Sequence, residues 1–188
     1  TFSDTELKLI QVKYKLPSDF IFSVGTIEER KDLLTLVKAL TLVKEATLVV
    51  VGKKREYFKT VNEYILKEKL DSRIVFLENV PTEDLPALYQ LAKMLVYPSL
   101  FEGFGIPILE AINSNTPVIA ANSSSLPEVG GIHSLYFEPR NFEMLATQMQ
   151  TLLDSKEAGK NQAQRAFDEA QKFNPKVLTE QLMKIYLA

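Results

Sequence analysis

The sequence predicts an α/β domain: a doubly wound parallel sheet of six strands with helices on both faces. Two observations predict it. Short runs rich in β-branched and aromatic residues alternate with longer stretches of helical spacing, the rhythm of parallel strands joined by crossover helices. The short runs are also nearly continuously apolar, as strands buried on both faces are, instead of alternating between inward and outward residues.

In chain order, strands are expected at residues 20–24 (FIFSV), 47–51 (TLVVV), 74–77, 94–97, 118–121 and 135–137. Residues 3–15 suit a short helix stopped at Leu16-Pro17, because the residue before a proline is pushed out of the helical region. No strand-like run precedes that helix, so residues 1–17 are taken as a linker and N-terminal helix, ahead of a domain spanning 18–188. After the first strand, Leu33, Leu36, Val37 and Leu40 mark one buried helical face, and Phe58, Val61 and Ile65 suggest a second helix. Leu85, Leu88, Tyr89 and Ala92 mark a helix before the fourth strand, and Phe142, Leu145, Ala146, Met149 and Leu153 one after the sixth. Asn174-Pro175 reads as the cap and first turn of a final helix carrying Leu178, Leu182, Ile185 and Tyr186.

Bulk composition narrows the function. With 188 residues, 46% of them apolar, the chain fits one ordinary domain with a real core. Lys plus Arg number 22 against 24 Asp plus Glu, so no broad positive field exists to attract nucleic acid, and any anion must be held locally. The absence of cysteine and the single histidine exclude a disulfide framework and a Cys/His metal site. No Asp-x-Asp pair or histidine cluster suggests a divalent ion, so no cofactor and no metal are expected. No apolar run reaches the ~20 residues of a spanning helix, and the opening TFSDTELKLI lacks the features of a secretory leader. A cytoplasmic location is expected, with any membrane contact peripheral.

Ligands of an open parallel sheet bind outside the carboxyl ends of its strands, where the strand order reverses, so the loops after the strands are the places to search. These begin at Gly25, at Gly52, at Glu78-Asn79-Val80, at Ser99 and at Asn122, and hold much of the glycine and small polar content. The fourth, PSLFEGFGIPILEA, is the most informative. Gly103 and Gly105 flank Phe104, and Pro107 suits the first turn of the following helix. Free N–H groups at such a helix start, with the positive end of its dipole, can hold a phosphate near Gly105 and Ile106 without any net positive charge. Glu102 in the loop and Glu110 about one turn into the helix bracket this turn, and carboxylates accept well from the paired hydroxyls of a sugar. A solvated helix position is a poor account of Glu110, which is embedded in IPILEAI.

The first loop, VGTIEERKD, puts Arg30 and Lys31 where the next helix begins. Cations there oppose the helix dipole, a conflict that a bound anion would relieve. Taken alone the pair reads better as surface charge balanced by Glu28, Glu29 and Asp32. The single glycine of this turn does not make a G-x-G-x-x-G dinucleotide fingerprint, and there is no Walker lysine loop. His133 has no second histidine or cysteine near it and is assigned a structural role.

With these residues in view, the chain resembles the C-terminal domain of the retaining glycosyltransferases of the two-domain GT-B fold, the family-4 type that includes mannosyltransferases and relatives of sucrose synthase and glycogen synthase. The resemblance covers nearly the whole chain. SVGTIEERKDLLTLVKAL is similar to the family's first turn and helix. VFLENVPTEDLPALYQLAKMLVYPSLFEGFGIPILEAINSNTPVIAANSSSLPEVGG is similar to its most recognisable block and contains the E-x7-E pattern from Glu102 to Glu110, and LYFEP continues it. It implies a Rossmann-like domain, one half of a GT-B fold, that binds a GDP- or UDP-linked sugar without metal. Lys31, with Arg30 beside it, would contact the donor diphosphate, backbone near Val80 the base, and Glu110 the ribose hydroxyls. Glu102 and the amides of Gly103, Phe104, Gly105 and Ile106 would address the sugar and its phosphate, with Gly25 and Thr26 lining the same turn. Glu102 and Lys31 are the residues it marks as catalytic.

Many family members have an arginine directly after the first glycine, where this chain has Thr26, so neutralisation of phosphate falls more heavily on Lys31 and Arg30. The turn is similar to the G-T-L-E-P-R-K turn of mannosyltransferases acting on surface polysaccharides, which makes mannose the expected hexose. A glycan or lipid-linked acceptor is expected to be held by an N-terminal domain that this chain lacks, so the chain alone is expected to bind nucleotide but not to transfer sugar. Two alternatives stand beside this one: a non-catalytic nucleotide- or sugar-binding module, and an epimerase or phosphorylase on the same fold.

Overall fold

The structure, a computed structural model, describes residues 2–187. Its centre is a six-stranded sheet, all parallel, in the order β3-β2-β1-β4-β5-β6. The strands are β1 (Ile21–Val24), β2 (Leu48–Val51), β3 (Ile74–Leu77), β4 (Met94–Tyr97), β5 (Val118–Ala121) and β6 (Leu135–Phe137). Four of the six coincide with the runs expected from sequence. In the other two the first expected residue is left outside the strand yet still serves the ladder, since Thr47 O accepts from Ile21 N at 2.8 Å and Phe20 O from Lys93 N at 2.9 Å. The residues of β2, β4 and β5 are all buried, which is why their sequences show no polar alternation.

The helices are α1 (Asp4–Lys13), α2 (Leu33–Leu42), α3 (Phe58–Lys67), α4 (Leu85–Leu91), α5 (Ile106–Asn113), α6 (Leu126–Gly130), α7 (Phe142–Asp154), α8 (Lys156–Ala170) and α9 (Pro175–Tyr186). They pack in two groups: α2 with α3 and α7, and α5 with α4, α6 and α8. This is the doubly wound architecture expected. Strand order reverses between β1 and β4, so the crevice at their carboxyl ends is where a ligand belongs.

The helices show where the sequence was harder to read. The helix expected in the segment set apart as linker and N-terminal helix is α1, and it is docked on α4. Ser3 and Glu6 form a capping box at its start, Ile10 and Leu16 join the core, and Lys13 Nζ reaches Asp84 Oδ2 at 2.6 Å. Tyr14 also donates to Asp84, and the two donors hold that carboxyl below its ordinary value.

Helix α8 was not expected, because its buried stripe is Gly159, Ala163, Ala166 and Ala170, too small to stand out as an apolar period. Small residues let it approach closely: a Cβ on Gly159 would lie 3.2 Å from Pro117. The Gln162 side chain makes two hydrogen bonds to the backbone of Val118, of 3.1 and 3.0 Å, and so ties α8 to β5. Helix α9 begins where Asn174 and Pro175 place it, but Leu178, Leu182, Ile185 and Tyr186 are all exposed.

Candidate functional site

The β1 loop is set by two glycines. Gly25 adopts φ +136°, and a Cβ on Gly52 would lie 1.9 Å from the Gly25 carbonyl oxygen, so the first two loops cross where no side chain fits. The chain continues through Thr26 to a short 3-10 turn, Glu29–Lys31, and Asp32 then enters α2 in the left-handed conformation with φ 47°. Burial pushes the Asp32 carboxyl up, against the hydroxyl of Thr35, which donates to it at 2.7 Å.

Arg30 and Lys31 therefore precede α2 instead of occupying its first turn, which corrects the expected conflict with the helix dipole. Their partner is within the protein. Lys31 Nζ lies 2.5 Å and Arg30 Nη1 3.0 Å from the same atom, Glu102 Oε1. Lys31, expected to contact the donor diphosphate, is thus in direct contact with one of the two carboxylates. Arg30 also pairs with Glu28 at 2.8 Å and donates to Phe101 O at 2.6 Å, stitching the first loop to the fourth.

Glu102 is the hub of this cluster. Besides the two cations it accepts from the Ser99 hydroxyl at 2.5 Å and the Tyr97 hydroxyl at 3.0 Å. Burial pushes its carboxyl up, but the hydrogen bonds from Lys31, Ser99 and Tyr97 together with the Lys31 charge outweigh this and leave it below its ordinary value, as the anion. Tyr97, at the end of β4, also meets Lys31 Nζ at 2.7 Å, and that ammonium sits 5.1 Å from its ring centroid. Burial, then Glu102, push the Tyr97 phenol far above its ordinary value, and Glu110 adds to the effect, so both carboxylates lie within electrostatic reach of this ring.

Glu110 is half-buried on α5, and its Oε2 accepts from the Tyr89 hydroxyl at 2.7 Å. Gly105 caps α5 with φ +113°, and Pro107 occupies its first turn as expected. The loop between the two glutamates is held by its carbonyls. Ser125 Oγ donates to Glu102 O at 3.1 Å and to Phe104 O at 2.7 Å, and Glu102 N donates to Ser124 Oγ at 3.0 Å. In contrast, the N–H groups of Gly103, Phe104, Gly105 and Ile106 donate to no protein acceptor among the described residues. Four adjacent free donors beside a helix start can accept an anion in a chain whose net charge is −2, next to two cations that are paired with Glu102 and Glu28.

The structure thus gathers Gly25, Thr26, Arg30, Lys31, Glu102 and the Gly103–Ile106 loop at the β1/β4 switch point, with a narrow cleft lined by Gly25, Thr26, Lys31, Tyr97 and Pro98. Val80 lies after β3, two strands from β1, partly buried against the core. His133 is half-buried just before β6, at the opposite end of the parallel sheet from this cluster. Another hollow, lined by Asp19, Lys44, Lys93 and Gln150, is also at that opposite end, whereas ligands of an open sheet bind outside the carboxyl ends of the strands.

Tyr89, Tyr97, Ser99, Ser124 and Ser125 were given no role in the site from sequence, although Ser99 opens the fourth loop and Tyr89 was placed on a helix face. Tyr97 and Ser99 flank the end of a strand and carry a positional signal. Tyr89 falls on the apolar stripe of α4 and looks like any other core residue.

Comparison with known proteins places this geometry. Residues 7–171 match the family model of the glycosyl transferases group 1. O-antigen chain mannosyltransferase B of Escherichia coli is 30% identical over 190 residues, covering 98% of this chain and 50% of that protein. O-antigen chain mannosyltransferase RfbU of Salmonella typhimurium is 31% identical over 129 residues, covering 68% of this chain and 36% of that protein. The chain thus spans half, or less, of the length of these relatives. Among solved structures, Anabaena Alr3699/HepE in complex with UDP superposes with a TM-score of 0.88 at 21% identity, over 99% of this chain and 53% of that one. The C-terminal domain of the group 1 family protein LpcC from Francisella tularensis superposes with a TM-score of 0.79 at 23% identity, over 92% of this chain and 93% of that one. At these identities the superpositions establish the fold, one half of GT-B glycosyltransferases.

Proposed function

The chain belongs to the glycosyl transferases group 1 family, and from that premise we propose that it is the donor-binding half of a retaining glycosyltransferase. The transfer is of a hexose from a nucleoside diphosphate sugar, GDP- or UDP-linked, to a glycan or lipid-linked acceptor in polysaccharide biosynthesis. Relatives named as O-antigen mannosyltransferases support mannose as that hexose. The observation that carries the reading is the junction of Lys31, Arg30 and Glu102 with the four free N–H groups of Gly103 to Ile106.

The chemistry follows from that junction. A donor diphosphate entering the β1/β4 crevice meets Lys31 and the free amides, which offset its charge and stabilise the negative charge that grows on it as the sugar departs. Because Lys31 is already paired with Glu102, the phosphate competes for the ammonium. Glu102 keeps the Tyr97 and Ser99 hydroxyls as partners and turns its remaining acceptor capacity to hydroxyls of the sugar. Glu110 offers its second oxygen to the ribose hydroxyls, and Val80, after β3, marks the side taken by the base. No divalent cation is invoked, the diphosphate charge being met by Lys31, Arg30 and the free amides. The acceptor belongs to the half of the enzyme outside this chain. Among the described residues no helix is long and apolar enough to cross a membrane; the reading keeps a cytoplasmic placement with peripheral membrane contact.

Calorimetric titration of this chain with UDP, GDP and ADP tests the reading, with Lys31→Ala and Glu110→Ala as controls. Micromolar to millimolar binding of one nucleotide, lost in both variants, is expected. A wild-type chain that binds none of the three defeats the reading.

A further inference from the structure

We propose that Tyr89 determines specificity: by pinning one oxygen of Glu110 it makes the site prefer ribose over deoxyribose nucleotides. The proposal rests on the donor-binding reading above and assigns a role to a residue that otherwise passes as core. Tyr89 is 1% exposed and is fixed from three sides. Its ring packs edge-on against Phe22 of β1, with centroids 5.0 Å apart and planes at 87°. Its carbonyl accepts from the Thr116 hydroxyl at 2.7 Å, and its own hydroxyl donates to Glu110 Oε2 at 2.7 Å. Burial, reinforced by the Glu110 charge, pushes the phenol far above its ordinary value, so the O–H stays in place as a donor.

The consequence lies in what the pin forbids. A carboxylate offers about four lone-pair sites, and Tyr89 takes one; among the described residues no hydrogen bond reaches Oε1. A ribose with both hydroxyls satisfies that oxygen. A deoxyribose, one hydroxyl short, leaves one of those bonds unmade on a half-buried carboxylate, and a site built to bond a hydroxyl rejects an analogue lacking it for this reason. Rejection works only if the carboxylate cannot swing away to water. Tyr89 removes that escape, so the discrimination belongs to the pair and not to Glu110 alone.

The test is Tyr89→Phe, which keeps the ring and deletes the hydroxyl, titrated by calorimetry with UDP and GDP beside their 2′-deoxy and 3′-deoxy forms. Wild type is expected to prefer the ribonucleotide by roughly tenfold or more, the worth of one hydrogen bond to a charged acceptor. In Tyr89→Phe the preference is expected to shrink below about threefold because the freed carboxylate lets the deoxynucleotides bind more tightly, with ribonucleotide affinity held, which also shows that the variant is folded. Glu110→Gln is expected to lose the preference as well, and the double variant to lose no more than either. The full preference retained in Tyr89→Phe, ribo and deoxy affinities falling in parallel, or additive losses in the double variant would each overturn the proposal. Equal wild-type affinity for ribo and deoxy forms overturns it while leaving diphosphate binding intact; no wild-type binding overturns the donor-binding reading with it.

Discussion

Lys31 Nζ lies 2.5 Å from Glu102 Oε1 and joins two loops separated by 71 residues in sequence. Both side chains are largely withdrawn from solvent, 17% and 12% exposed, so the pair is screened less than a surface ion pair and each partner depends on the other. The pair also preorganises the site, since the cation that meets phosphate and the carboxylate that meets sugar hydroxyls are set before any ligand arrives.

Removing one partner should therefore be costly. Lys31→Met is expected to lower unfolding stability by about 1–3 kcal/mol, because it leaves a desolvated carboxylate short of its main donor. Arg30→Ala, at a side chain 43% exposed, should cost no more than about 1 kcal/mol. Urea titrations of the two variants decide it; equal losses would mean that the Lys31 contact is no better than a surface pair.

The pH dependence follows from Glu102. Its folded carboxyl titrates below the ordinary value of 4.5, so the folded state binds fewer protons than the unfolded one in that range. Its contribution is fully present above pH 4.5 and is lost as pH falls through the lower folded value. Relative to Glu102→Gln, the pH-dependent part of wild-type stability should thus fall away below pH 4.5 and stay constant above it. Thermal melts of both proteins across that range measure it, and parallel curves would contradict it.

The two glycines of the fourth loop should respond differently to alanine. Gly105 has φ +113°, and a Cβ there would lie 3.0 Å from Leu126 Cδ2, so Gly105→Ala is expected to cost about 1–2 kcal/mol. Around Gly103 a Cβ would meet nothing within 4 Å, and Gly103→Ala should stay within about 0.5 kcal/mol. Chemical denaturation that ranks them the other way would refute the assigned backbone.

Gly52 carries a stricter requirement. A Cβ there would sit 1.9 Å from the Gly25 carbonyl oxygen, a backbone atom that moves only if the whole first loop moves. Gly52→Ala is expected to cost about 3 kcal/mol and to displace Thr26 and Lys31 with that loop. Melting temperature and nucleotide affinity should fall together; an unchanged melting temperature would show that the loops do not cross so closely.

The sequence by itself determined the strands, the fold class and the loops that carry the site. Strands buried on both faces must be continuously apolar, and loops that approach a ligand or another backbone need glycine, so FIFSV, TLVVV and the PSLFEGFGIP turn are legible without coordinates. Helix α8 was not, because alanine and glycine carry little hydrophobic contrast, and neither was the docking of α1, whose outward residues leave only Ile10 as a buried marker. Only the tertiary structure decided which groups meet. Lys31 and Glu102 touch because strand order places β1 beside β4, a pairing that local spacing does not encode. Tyr89 meets Glu110 because a phenol on a buried helix face finds its partner across an interface between elements. From sequence, such a tyrosine cannot be told from one that merely fills the core.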